Sequence, residues 1–191
     1  VAMYFPEGMT FQYFFFDTYP GYFLQALPIA LAAGAIFMLR RTGRTGEHLC
    51  VKSLVPALFV CYLTGLLCLT LFLDVMGDLY YLLFYHTESG RHIHWFTWVF
   101  NLVPTFSFDA EQIGNFFMFL PFGMLYPLFR PRSTWKRTVA AGIALCLGIE
   151  FLQPIFGRSF DINDVILDGL AVIVSAVVFH ALKTARPARG E

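Results

Sequence analysis

The chain has few charged residues for its length. Lysine, arginine, aspartate and glutamate together make up 14% of its 191 residues, whereas a soluble domain typically carries about 25%. Hydrophobic residues make up 58%, and the mean hydropathy is +0.63. An apolar excess of this size is typical of an integral membrane protein, so we expect the lipid bilayer to be a partner of this chain.

The formal net charge at pH 7 is zero. A protein that binds nucleic acid usually presents a basic surface that attracts the phosphate backbone. No such global field exists here, so the sequence predicts no nucleic-acid partner. The basic residues are better interpreted as anchors that set the topology of a membrane protein.

The four cysteines lack the spacings that bind zinc or mark a redox site. Cys61, Cys68 and Cys146 lie inside apolar segments, and Cys50 lies in a polar connection between two of them. There is no Cys-x-x-Cys pair and no Cys/His pattern suited to a metal. We therefore expect all four to act as small packing residues.

Other chemical signatures are weak or absent. Glu88, His92 and His94 could offer three metal ligands from a loop, but solvated loop histidines are the simpler interpretation. The motifs of α/β-hydrolases, P-loop nucleotide-binding proteins and zinc proteases do not occur. The sequence therefore assigns no metal and no cofactor.

Five apolar segments are each long enough to cross a bilayer as a helix, which takes roughly 17–25 residues. They predict an all-α fold, a polytopic membrane bundle of about five transmembrane helices with a long aromatic outer loop. The predicted segments are Gly21–Leu39, Ser53–Val75, Ile113–Phe129, Val139–Ile155 and Ile162–Leu182.

These segments divide the chain into five predicted parts. The parts are an aromatic N-terminal flank (1–20), two transmembrane helices (21–75), an outer loop (76–112), a three-helix core (113–183) and a tail (184–191). The outer loop becomes apolar again near its end, over Trp95–Phe108. We therefore expect that stretch to fold back over the bundle.

The distribution of positive charge predicts the orientation. Eleven of the thirteen lysines and arginines lie in the stretches 40–52, 130–137 and 183–189, which follow or separate alternate apolar segments. Cytoplasmic loops carry such an excess. The N-terminus is therefore expected outside and the C-terminus inside, and no basic stretch precedes the first apolar segment as in a cleaved signal peptide.

Seven polar residues are predicted to gather at the outer ends of the last three helices. A charged side chain at bilayer depth is unfavourable by roughly 2.5–3.5 kcal/mol unless it is paired or hydrated, and such residues usually have a function. Side chains three or four positions apart share a helix face, which aligns several of them. The predicted ligand-binding residues are Asn115, Glu150, Gln153, Arg158, Asp161, Asp164 and Asp168.

Some of these residues also have structural interpretations. Asp161 could cap the last helix, and Asp164 could favour the positive end of its dipole. Arg158 could bridge Asp161 or Glu150 and fix the turn between the last two helices. Glu150 has no comparable structural role in its helix, so it is the candidate catalytic residue if the chain is an enzyme.

Four short motifs together resemble those of the VanZ-like family of membrane proteins. Residues 101–104 (NLVP) resemble the family's NLIPF motif, and residues 115–123 (NFFMFLPFG) resemble N-x-x-x-F-x-P-x-G. Residues 149–153 (IEFLQ) resemble I-E-x-x-Q, and residues 158–164 (RSFDIND) resemble R-x-x-D-x-x-D. The resemblance covers about 101–179, nearly half of the chain, and includes the predicted three-helix core.

This chain differs from the family pattern at two places. Asp168 stands where the family usually has asparagine, which makes the polar cluster more acidic. Ala171 and Ser175 stand where the family favours glycine, although both still permit close helix contact. The resemblance implies a polytopic bacterial envelope protein of the kind linked to resistance against teicoplanin, a lipoglycopeptide antibiotic.

Three functions are compatible with the residues. The first is an envelope-protecting protein whose outer polar pocket binds a lipid-linked cell-wall precursor or a lipophilic ligand such as a lipoglycopeptide. The second is an intramembrane enzyme acting on a cell-wall lipid precursor or a phospholipid headgroup, with Glu150 as general acid or base. In that mechanism Asp161 and Asp164 orient Glu150 or hold a divalent cation, and Arg158 contacts the anion of the substrate. The third is a proton-coupled transporter that uses Glu150 and Asp168 as relay groups. We favour the first, because the cluster contains no nucleophile and no second polar patch is visible on the inner half.

Overall fold

The computed structural model describes residues 9–45, 51–89, 94–106 and 110–185. Within these ranges the chain forms seven α-helices and one pair of two-residue strands, so the predicted all-α bundle is confirmed. The helices are α1 Phe11–Asp17, α2 Tyr19–Thr45, α3 Val51–Thr70, α4 Leu73–Tyr85, α5 Ala110–Phe129, α6 Trp135–Leu152 and α7 Ile162–Ala185. The strands are β1 Phe100–Asn101 and β2 Phe160–Asp161, and a 3-10 turn covers Gln153–Phe156.

Three stretches of the described chain are helical, long and apolar enough to cross a bilayer: Tyr19–Gly43, Trp135–Phe156 and Ile162–Ala185. A fourth is obtained if the bent pair α3 and α4 counts as one broken span. α5 is not among them, because its first turns carry Glu111, Gln112 and Asn115. Five apolar helices were expected to span, so α5 is the one whose composition falls short.

The second predicted segment, Ser53–Val75, ends earlier than expected. α3 stops at Thr70, and the chain bends by 88° before α4 begins at Leu73. The amides of Leu71 and Phe72 both donate to the Leu67 carbonyl, which closes the last turn of α3. Neither proline nor glycine marks the bend, and the apolar composition continues through it. α4 therefore occupies the first part of what the sequence predicts as an outer loop.

The core lies where α5 and α7 pack against each other, with α3 and α6 beside them. Phe119, Cys146, Ala171 and Val172 are fully buried there. Gly123 of α5 faces Ser175 and the backbone of Ala176 so closely that a side chain would not fit. The small residues of α7 thus permit the close helix contact that the sequence predicts.

The cysteines of the described chain are packing residues, as expected. Cys68 and Cys146 are buried and Cys61 is half-buried, and all three are free thiols. Cys50 lies outside the described residues. 

The aromatic N-terminal flank contains a short helix that the sequence analysis did not predict. α1 packs its Phe15 and Phe16 against Tyr80 and Phe84 of α4. Gln25 of α2 is buried between these helices and donates from Nε2 to the Phe15 carbonyl at 2.5 Å. Aromatic contacts of this kind join α1, α2 and α4 into one group of helices.

The stretch after residue 94 folds back over the turn between α6 and α7, as predicted. The amide of Phe96 donates to the Ile155 carbonyl at 3.2 Å, and that of Thr97 donates to the Pro154 carbonyl at 2.8 Å. β1 and β2 then pair in parallel, with Phe100 opposite Phe160. These bonds bring the 94–106 segment next to the predicted polar cluster.

The contact between α5 and α7 leads to a stability prediction. Gly123→Ala should lower the free energy of unfolding by about 1–3 kcal/mol, because the added methyl group overlaps Ser175 and the Ala176 backbone. Thermal unfolding of the detergent-purified protein measures this loss. Gly148→Ala in α6 is the matched control, since no atom lies near the position of its new methyl group. Equal melting temperatures for the two variants would contradict this packing.

Candidate functional site

Four of the seven predicted site residues line one polar cavity of about 210 Å³ at the end of the bundle where α5 and α7 begin. The remaining wall comes from the first turn of α5 and from the α6–α7 turn. The lining residues are Glu111, Gln112, Gln153, Arg158, Ser159, Asp161 and Asp164. The sequence therefore identified a real juxtaposition of polar groups.

Glu150 lies behind this cavity and is almost fully buried, with 1% of its surface exposed. Its Oε2 atom accepts a hydrogen bond from the backbone amide of Asp161 at 3.1 Å. The last turn of α6 is thereby fastened to β2. Glu150 thus has the structural partner that the sequence analysis could not find for it.

Asp161 caps α7. Its Oδ1 atom accepts from the backbone amide of Asn163 at 2.8 Å and from the Asn163 side chain at 2.7 Å. A residue just before a helix that accepts an amide of the first turn is an N-cap, so the capping interpretation of Asp161 is confirmed. The Asn163 Oδ1 atom accepts in turn from the Thr105 amide at 2.8 Å, which anchors the folded-back segment.

Arg158 does not make either of the bridges expected of it. Its Nη2 atom pairs with Glu111 Oε1 at 3.0 Å, and its Nη1 atom donates to the Thr70 carbonyl at 3.3 Å. The guanidinium therefore links the α6–α7 turn to α5 and to the end of α3. The Thr70 carbonyl is available because α3 ends there, at a bend that the sequence did not predict.

Asn115, Asp164 and Asp168 extend the cluster into the bundle. Asn115 lies close enough to the buried Asp164 carboxyl to interact with it. Asp168 lies one turn deeper, with 3% exposure, within electrostatic reach of Asp164 and Glu150. Within the described chain, the Oδ1 atom of Asp168 has no hydrogen-bond partner.

The charges at this end do not balance among the described residues. Five carboxyl groups and one guanidinium meet here, namely Glu111, Glu150, Asp161, Asp164, Asp168 and Arg158. A buried carboxylate is unfavourable unless it is paired or hydrogen-bonded. The site is therefore suited to a ligand that donates hydrogen bonds, such as a hydroxyl-rich or amine-bearing headgroup.

Two further cavities continue from the polar one. A groove of about 820 Å³ between α2, α3 and α5 shares Glu111 and Arg158 with it. A more apolar groove of about 410 Å³ shares Phe23, Leu69 and Met118 with the larger one. Its wall is formed by Ala26, Ala30, Cys61, Gly65, Leu66, Pro121 and their neighbours. A polar cavity thus adjoins a hydrocarbon-lined groove.

Sequence reasoning missed three contributors to the site. Glu111 pairs with Arg158, Asn163 holds the folded-back segment, and Thr70 offers its carbonyl. The position of Asn163 inside the R-x-x-D-x-x-D pattern could have indicated its role. Glu111 could have been found as the acidic residue at the start of α5. Nothing local in the sequence marks the Thr70 carbonyl.

The loop metal candidates do not form a site in the described part of the chain. Glu88 and His94 are both exposed, and His92 lies outside the described residues. Among the residues that are described, no group of three or more histidines, cysteines or carboxylates is arranged to hold a metal ion.

The comparison with protein families gives one result. The family model described as VanZ/LLP1 matches residues 59–183, well over half of the chain. The matched region runs from α3 to α7 and includes all seven predicted site residues. No curated protein and no solved structure matches the chain.

The bond between Glu150 and the Asp161 amide predicts how two substitutions differ. Glu150→Gln keeps a side-chain oxygen that can accept this hydrogen bond, so the melting temperature should stay close to that of the wild type. Glu150→Ala leaves the part-buried Asp161 amide without its partner and should lower the free energy of unfolding by about 1–3 kcal/mol. Thermal unfolding in detergent measures both changes.

Glu111→Ala is the control for loss of a carboxylate at this end. Glu111 is 57% exposed, so removal of its ion pair with Arg158 should change stability by at most about 1 kcal/mol. If Glu150→Gln proved as destabilising as Glu150→Ala, the hydrogen bond to the Asp161 amide would not be the interaction by which Glu150 stabilises the fold.

Proposed function

This chain belongs to the VanZ/LLP1 family, and from that premise we propose that it binds an amphipathic ligand at the outer face of the bacterial cell membrane. The chain is a multi-pass membrane protein with several apolar helices. The proposed ligand is a lipid-linked cell-wall precursor or a lipoglycopeptide such as teicoplanin. Binding would protect the envelope and confer resistance.

The observation that carries this proposal is the continuity of the three cavities. A ligand headgroup would contact the carboxyls and amides of the polar cavity, beside Arg158. Its hydrocarbon tail would lie in the apolar groove between α2, α3 and α5. Ligand pockets of proteins combine a few placed polar groups with a larger apolar wall, and this system does the same.

The chemistry of the polar cavity narrows the class of headgroup. Its oxygens outnumber its donors, because Glu111, Asp161 and Asp164 line it together with a single guanidinium. Hydroxyl groups and amines donate to carboxylates, and sugars and amino acids carry both. The headgroups of cell-wall precursors and of lipoglycopeptides meet this requirement, whereas a bare phosphate would meet it only at Arg158.

The distribution of charge supports the proposed orientation. Every carboxylate of the described chain lies at the same end of the bundle as the polar cavity, which we call the acidic end. Seven described lysines and arginines lie at the opposite, basic end: Arg40, Arg41, Arg130, Arg132, Lys136, Arg137 and Lys183. Positive charge favours the cytoplasmic side, so the acidic end would face outward.

The enzymatic alternative has less support. Glu150 already accepts the Asp161 amide, and Asp161 already caps α7, so both carboxylates have structural partners. No serine, threonine or cysteine nucleophile adjoins a base in the polar cavity, where Ser159 is the one hydroxyl among the described lining residues. Binding needs only the arrangement of donors and acceptors that these contacts maintain.

Antibiotic susceptibility tests the proposed function. In a sensitive Gram-positive host, the wild type should raise the inhibitory concentration of teicoplanin more than that of vancomycin, which has no acyl chain. Arg158→Gln should abolish the protection because it removes the cation between the polar cavity and the groove. Gly65→Leu should abolish it because the new side chain occupies the apolar groove.

The matched control is Gly148→Leu, which adds the same side chain at a helical glycine with open space around it, away from the groove. All variants are compared at equal membrane abundance. Protection that survives both Arg158→Gln and Gly65→Leu would remove the cavity system from the proposed function. Lack of any protection by the wild type would redirect the search to other amphiphiles of the envelope.

A reporter fusion tests the proposed orientation separately. A reporter inserted at Glu47, between α2 and α3, should be active only in the cytoplasm, and one inserted at Glu88 should be active only outside. The reason is that the basic residues beside Glu47 favour the inner side. The opposite pair of activities would turn the acidic end, and the proposed site with it, toward the cytoplasm.

A further inference from the structure

The basic end of the bundle contains a cavity that shares no lining residue with the three cavities described above. It measures about 530 Å³ and lies at the turn between α5 and α6. Three arginines line it, together with aromatic and small residues of the turn. The lining residues are Tyr126, Phe129, Arg130, Pro131, Arg132, Ser133 and Arg137.

Local hydrogen bonds fix the backbone that carries the three arginines. The Ser133 amide donates to the Arg130 carbonyl at 2.8 Å and closes the turn that carries Arg130 and Arg132. Thr134 caps α6, and its hydroxyl oxygen accepts from the Arg137 amide at 3.4 Å. The backbone that carries the arginines is therefore fixed by these bonds, and the three exposed side chains line one space.

The described chain supplies no anion to these arginines. There is no acidic residue between Glu111 and Glu150 in the sequence, and the described carboxylates all lie at the acidic end. The first turn of α6 has no acid either, and it carries Lys136 and Arg137 instead. Cations at a helix N-terminus oppose the helix dipole, which favours an anion at that position.

An apolar groove adjoins this cavity. It measures about 390 Å³, is lined mainly by α5 and α7, and shares Pro131 with the arginine-lined cavity. Pro127, Leu128, Phe179 and Leu182 form its apolar wall, and Lys183 stands at its edge. The dimensions and lining suit part of a hydrocarbon chain next to a negatively charged headgroup.

We propose that the arginine-lined cavity and this groove together bind an anionic phospholipid, with its phosphate among Arg130, Arg132 and Arg137 and an acyl chain between α5 and α7. This ligand is favoured because its negative phosphate complements the three arginines of the cavity. Guanidinium groups bind phosphate oxygens in pairs of hydrogen bonds, and basic pockets between membrane helices on the cytoplasmic side bind lipid headgroups. The positive-inside rule explains why the turn is basic, but it does not require the arginines to share a cavity.

A titration of the full chain in detergent, followed by native mass spectrometry, tests the proposal. Phosphatidylglycerol should bind more tightly than phosphatidylcholine with the same acyl chains. The double variant Arg132→Gln, Arg137→Gln should weaken phosphatidylglycerol binding on the order of tenfold or more, since two contacts to the phosphate are lost. Equal binding of the two lipids would overturn the proposal.

The control removes the same charge from the same end without touching the cavity. Arg40→Gln, Lys136→Gln deletes two cations, and neither residue is among the lining side chains. This variant should bind phosphatidylglycerol nearly as well as the wild type. If both double variants weakened binding equally, diffuse electrostatic attraction to the basic end would replace the proposed site.

Two further arms separate a lipid site from a site for free anions. Leu128→Trp should fill the groove and weaken phosphatidylglycerol binding while the arginines remain. Leu128 is 46% exposed, so the fold should tolerate the larger side chain. This variant also decides the proposal if the arginine variant does not fold. Unchanged binding by Leu128→Trp, or displacement of the lipid by inorganic phosphate at equal concentration, would contradict a phospholipid site.

Discussion

The acidic end depends on one hydrogen bond, from the Asp161 amide to the buried Glu150 carboxyl. A carboxyl group in the interior of a membrane bundle is unfavourable without a partner, and this amide gives Glu150 one at 3.1 Å. The bond fixes the end of α6 against β2, and β2 pairs with β1 of the folded-back segment. Asn163 then joins the same segment to the start of α7. The wall of the polar cavity that comes from the α6–α7 turn therefore depends on how Glu150 is satisfied.

Close packing of α5 against α7 is the second constraint, because it fixes the position of the acidic end relative to the basic end. Gly123 and Ser175 allow the helix backbones to approach, and a lipid-embedded bundle gains its stability from such contacts and not from a hydrophobic effect between helices. Both helices extend from the acidic end to the basic end. The same pair thus contributes Asp164 and Asn115 to one site and Leu128 and Phe179 to the other.

The sequence predicted the five long apolar helices, because their composition is continuous, but it did not predict α1 or α4 as separate helices. It also predicted most of the acidic cluster, because a charged residue in an apolar helix is conspicuous. Glu150 stands out in α6, and Asp161 precedes α7 at the spacing of a cap, so both could be located without coordinates. The partner of Arg158 could not, since Glu111 is 47 positions away and the Thr70 carbonyl becomes available only through the bend after α3. That bend lies among apolar residues just before Asp74, and neither proline nor glycine marks it. Side-chain pairs between distant positions, and helix breaks without proline or glycine, are therefore the features that could not be predicted from the sequence.

Charge in this molecule is sorted along the helix axes, and this sorting separates the chemistry of the two ends. Carboxylates concentrate where α5 and α7 begin, and a ligand there must donate hydrogen bonds. Arginines concentrate where α5 ends and α6 begins, and a ligand there must accept them. A headgroup that satisfies one end would be repelled by the other, and each end has its own apolar groove. The two proposed sites therefore select amphiphiles of opposite headgroup chemistry, and α5 lines both of them.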